Sequence, residues 1–77
     1  MRIYLKAFIL NLARNNEDIS KSSFIPSRLN QIEREMKAGS ITSDEVMVKL
    51  RDEDKFRKAF NVGDWKMIEK EVKKMIK

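Results

Sequence analysis

Apolar residues recur along this chain at three- and four-residue spacing, and no stretch shows the period of a strand. The densest apolar run covers residues 4–13. Tyr4, Leu5, Phe8, Ile9 and Leu12 form one wide stripe at 3.6 residues per turn, while Ile3, Ala7 and Leu10 form a second on the far side. Alternation with period two would put Lys6 in register with Tyr4, Phe8 and Leu10, leaving neither face of a strand clean. The spacing predicts a helix from about residue 2 to residue 14, apolar on two sides and therefore central to the fold.

The polar run Asn15-Asn16-Glu17-Asp18 ends that helix, and Ser20-Lys21-Ser22-Ser23 reads as a loop that Phe24 and Ile25 pin to the core. Pro26 stands where proline begins a helix, because the N–H it lacks has no partner in a first turn. A second helix over about residues 26–37 buries Leu29, Ile32 and Met36, and Gly39 stops it. Thr42-Ser43-Asp44-Glu45 spells a capping box, with Ile41 and Val46 placed as a hydrophobic staple around it. A third helix therefore starts at Ser43, buries Val46, Met47 and Leu50, and ends near Arg51.

Asp52, Glu53 and Asp54 bring three carboxylates to the positive end of a short fourth helix, whose inward face is Phe56, Ala59 and Phe60. Asn61-Val62-Gly63 closes it, and Asp64 caps a last helix with Trp65, Ile68, Val72, Met75 and Ile76 in one seam. The pattern predicts an all-α fold, a small compact bundle of four to five helices in one domain over residues 1–77. Its long members are the first and last helices. Methionines at 36, 47, 67 and 75 suggest a loosely specified core, since Met fills gaps without selecting one packing.

Composition narrows the chemistry. The 77 residues include no Cys and no His, so there is no disulfide, no thiolate metal site, and neither the usual general base nor the usual zinc ligand. A core this small supplies roughly 3–5 kcal/mol of net stability. The first apolar run is interrupted by Lys6, lacks a small-residue cleavage site and falls short of the ~20 residues a bilayer span needs. The expectation is a non-enzymatic, cytoplasmic protein with no cofactor and no membrane partner. Seventeen basic against twelve acidic residues give a net charge of +5, which favours polyanionic partners, nucleic acid first.

Lys66, Lys70, Lys73, Lys74 and Lys77 lie on the polar side of the last helix, and with Arg57 and Lys58 they form the candidate phosphate-binding set. A competing reading is that lysines near a helix C-terminus complement its dipole and that Glu69 pairs with Lys73. Trp65 and Tyr4 are candidate stacking platforms for a base, though apolar residues at i+3 and i+7 from Trp65 favour a core role. Asp52, Glu53, Asp54 and Asp64 have neither the spacing of a calcium loop nor a glycine-rich neighbour, so capping explains them better than metal binding. Ser20, Ser22 and Ser23 have no histidine to activate them.

Two resemblances add to this. The segment LNQIEREMKAGSITSDEVMVKL looks like the short C-terminal (SHOCT) helical hairpin, matching at Gly39, Ile41, Thr42, Glu45, Lys49 and Leu50, which implies self-association or protein binding. The whole chain, from MRIYLKAFIL to NVGDWKMIEKEVKKMIK, resembles the family of short proteins encoded directly after the recombination helicase UvsW in T-even phages. That resemblance implies a phage-encoded bundle similar to the HRDC nucleic-acid-binding module of RecQ-type helicases. The leading expectation is a non-enzymatic auxiliary module that binds nucleic acid weakly in DNA recombination or repair, with branched or single-stranded DNA as candidate ligands and a helicase or another recombination protein as candidate partner. The alternative is a protein–protein adaptor or self-association module.

Overall fold

The computed structural model describes residues 2–76. Among them run six helices, α1 (Leu5–Leu12), α2 (Glu17–Ser20), α3 (Phe24–Ala38), α4 (Ser43–Arg51), α5 (Asp54–Ala59) and α6 (Val62–Met75), and no strand. The protein is an all-α bundle. Helix α1 packs on α3, α2 on α5, and α4 on both α5 and α6. The radius of gyration, 11.6 Å, is that of a compact chain of this length, about 11.5 Å.

The first helix is shorter and less central than its two apolar stripes suggest. Only Leu5 and Ile9 are buried in it; Phe8, Leu10 and Leu12 are half-buried and Ala7 faces solvent. The main neighbour of α1 is α3, so of its second stripe Ile3 and Leu10 are only partly buried against the core and Ala7 is left in solvent. Its N-terminus also depends on that neighbour: Tyr4 offers no side-chain cap, and the Glu33 carboxylate on α3 accepts the Lys6 backbone N–H at 2.7 Å. The long helices are α3 and α6, at 15 and 14 residues: the last helix is long as expected, whereas the first has 8 residues and α3 takes its place.

Helix α2 breaks the expected loop. Asn16 takes extended backbone geometry and its side chain accepts the Ile19 N–H at 3.1 Å, while Glu17 and Asp18 occupy the dipole-favoured first turn. Its single apolar residue, Ile19, is buried. The next helix starts two residues before Pro26, because Ser22 Oγ accepts the N–H groups of both Phe24 and Ile25 at 3.2 Å. Ile25 turns into the core, whereas Phe24 stays 59 % exposed instead of pinning the loop.

At the other end of α3, Gly39 takes the left-handed conformation at φ 72°, with bonds from its N–H to Met36 O and from the Ser40 N–H to Glu35 O. This is a Schellman motif, and only glycine enters that region without strain. The capping box at Thr42 and Glu45 is formed in both directions, at 3.2 and 3.0 Å, and Ile41 and Val46 are buried on either side of it. Accepting the Thr42 backbone N–H holds the Glu45 carboxyl below its ordinary range. Helices α3 and α4 are tied by Lys49 Nζ on Glu35 at 3.1 Å.

The carboxylates before α5 divide their work. Glu53 caps the helix, Asp52 lies 3.7 Å from Arg28 of α3, and Asp54 pairs with Arg57 and Lys58. Phe56 stacks on Phe60 at 5.6 Å between centroids, and Phe60 meets Trp65 edge-on at 5.5 Å. The last helix begins at Val62, earlier than an Asp64 cap would allow: Asn61 is the N-cap and Asp64 the reciprocal partner in a second capping box, at 2.8 and 3.1 Å. Asn61-Val62-Gly63 thus starts a helix instead of only ending one. Thr42→Ala and Asn61→Ala each remove such a box and should cost about 1 kcal/mol, read as a lower urea midpoint at constant slope. A neutral result at either site would mean its helix starts elsewhere.

Candidate nucleic-acid interface

Helix α6 carries the candidate set because its apolar seam is narrow. Ile68, Val72 and Met75 are buried, Trp65 and Ile76 half-buried. At about 100° per residue, Lys66, Lys70 and Lys73 fall within about 60° of arc on the opposite, outward face. All three, and Lys74 beside them, are exposed. Met67, expected among the core methionines, is also on this outer side at 46 % exposure. Lys77 lies outside the described residues.

Ion pairing sorts these lysines. Lys73 Nζ lies 3.7 Å from Glu69 and Lys74 Nζ 3.2 Å from Glu71, the i,i+4 and i,i+3 contacts that such spacing favours. Lys66 and Lys70 have no carboxylate within 4.0 Å among the described residues. Arg57 and Lys58 stand on α5, both committed to Asp54, and the Arg57 hydrogen bond holds the Asp54 carboxyl below its usual range. The sequence-derived set therefore separates into an unpaired pair, Lys66 and Lys70, and cations already partnered.

Glu71 is a tether as well as a partner. The Tyr4 hydroxyl donates to its Oε1 at 2.9 Å, joining the residue before α1 to α6 across the fold. That bond pushes the Tyr4 hydroxyl up and, with the Lys74 contact, draws the Glu71 carboxyl down. A carboxyl lowered in the folded state adds stability at neutral pH that disappears as pH falls through its depressed range. Tyr4 is thereby half-buried, with its hydroxyl committed to Glu71.

Trp65 lies between its two readings. Its ring packs against Phe60, but it also lines an open groove of about 290 Å³ with Arg51, Val62, Lys66 and Glu69. The Arg51 guanidinium sits 5.4 Å over the indole centroid, a cation–π contact made possible by the packing of α4 on α6. Nothing in the sequence pairs residue 51 with residue 65, so residue spacing does not reveal this groove. Among the described residues no polar or charged side chain is buried, and no three acidic side chains are grouped to hold a metal. No helix among them is long and apolar enough to cross a membrane. No family model, curated protein or solved structure matches the chain.

Proposed function

We propose that this protein is a non-enzymatic auxiliary module that binds nucleic acid weakly through the outward face of α6, beside a helicase or another recombination protein. The observation that carries the reading is the pair Lys66 and Lys70, one turn apart, exposed and without a carboxylate partner among the described residues, on a chain of net charge +5. Unpaired ammonium groups can meet phosphates, releasing their counterions, without first breaking an ion pair. The setting in DNA recombination or repair, and a phage origin, rest on the whole-chain resemblance to the phage family and to HRDC modules.

The test is a titration of labelled single-stranded, branched and duplex DNA at several salt concentrations. Converting Lys66 and Lys70 to Gln should weaken binding to every sequence alike and flatten the slope of log K against log salt by up to ~2 units, about 0.9 for each duplex phosphate no longer neutralised. The fold should survive, since Lys and Gln have similar helix propensity, and a circular-dichroism melt checks this. An unchanged slope in the folded variant rejects this face.

A second reading has its own observation. Val48 and Val62 are 66 % and 72 % exposed on the packed pair α4 and α6, and Phe24 is 59 % exposed on α3. Apolar side chains left in water favour a protein partner or a second copy of the chain. Binding carried by them changes little with salt, which separates the two readings.

A further inference from the structure

The groove between the end of α4 and the start of α6 differs from the rest of the basic surface because it offers an aromatic ring along with charge. Arg51 and Lys66 stand at its wall, Trp65 and Val62 supply apolar surface, and Glu69 carries the one carboxylate, which lies 3.7 Å from Lys73. At about 290 Å³ it sits at the lower end of small-ligand sites, roughly 300–1,000 Å³. It is sized for one planar group rather than a folded chain. At the start of α6, the capping box already engages the Asn61 and Asp64 amides.

We infer that this groove seats one nucleotide of a single strand, its base against the Arg51–Trp65 stack and its phosphate between Arg51 and Lys66. The inference deepens the proposed nucleic-acid reading and rests on it. Three observations favour a nucleotide. Guanidinium and indole planes are surfaces on which any base stacks, and Arg51 is already held over the Trp65 ring. The two cations share the groove with a single carboxylate, which also lies 3.7 Å from Lys73, so the local balance suits an anion. Finally, Lys66 belongs to both the groove and the lysine face, and Lys70 follows one turn further, so a strand leaving the groove runs onto unpaired cations. A base inside a duplex cannot reach such a surface without leaving its stack. The groove therefore gives a preference for single strands that the lysine face alone would not.

Trp65 is the only tryptophan of the chain, so its emission reports on the groove directly. The full chain is titrated with oligothymidylate, with an abasic deoxyribose-phosphate oligomer of the same length, with duplex DNA, and with a peptide of mixed Glu and Leu. Binding is followed by Trp65 emission and by anisotropy of the labelled ligand. Oligothymidylate should quench Trp65 and bind about tenfold more tightly than the abasic oligomer, which has no base to stack. Arg51→Gln, at an exposed position, should remove most of that tenfold difference and, because its phosphate contact goes as well, should also weaken binding of the abasic oligomer.

Equal affinity for the two oligomers, or binding with Trp65 emission unchanged, overturns the groove while leaving the lysine face standing. Failure of every nucleic acid to bind overturns both. Quenching by the acidic peptide at lower concentration than by oligothymidylate overturns the inference and assigns the groove to a protein partner.

Discussion

Phe56→Ala should leave the protein without a cooperative folded state, or close to it. Phe56 is 1 % exposed, stacks on Phe60, and through Phe60 reaches Trp65, so its ring joins α5 to the aromatic start of α6. Removing a fully buried phenyl costs about 3–5 kcal/mol, transfer and cavity together, and the whole domain is expected to hold roughly that much. Urea unfolding followed by Trp65 emission should lose its native baseline. Phe8→Ala provides the contrast. Two apolar stripes on the first helix would make Phe8 equally costly, but it is half-buried, and about half the buried area implies roughly 1–2 kcal/mol. Equal midpoints for the two variants would mean that α1, not the α5–α6 corner, is the centre of the fold.

Ile19→Ala should cost about 2–3 kcal/mol, the lower part of the range for a buried Ile because a one-turn helix can settle into the space. Ile19 is 1 % exposed, and α2 packs on α5, so the loss falls on the same corner that Phe56 supports. Were residues 15–23 the solvated loop their composition suggests, the change would lie within about ±0.5 kcal/mol. The measurement is a urea midpoint at constant slope. Asn16→Ala, which removes only the bond to the Ile19 N–H, should cost about 1 kcal/mol and locate the effect in the helix itself.

Most of the helical framework is legible from the pattern because its signals are local. The Thr42–Glu45 box, the left-handed Gly39 and the seam of Ile68, Val72 and Met75 each lie within a few turns of chain, and each forms where the spacing places it. Local signals also mislead where two residues compete for one role. Asp64 suggests a cap because carboxylates cap, but Asn61 competes for the same turn and wins by standing where the chain is still extended. A lone isoleucine between Asp18 and Ser20 has no period, so α2 carries no apolar pattern to find.

The candidate site divides in the same way. That α6 would show a lysine face was determined by the sequence, since a seam on one side of a helix puts Lys66, Lys70 and Lys73 on the other whatever it packs against. The Glu69–Lys73 pair was likewise written in the i,i+4 spacing. The pairs of Lys74, Arg57 and Lys58 are also i,i+3 or i,i+4 contacts within one helix, whereas what stands beside the lysine face was decided by tertiary structure. Tyr4 reaches Glu71 across 67 positions of chain, and Arg51 meets Trp65 only because α4 lies on α6. The same holds for the burial of α1. Two apolar stripes say that a helix has two faces to hide, but how many neighbours arrive to hide them depends on elements that no local spacing encodes.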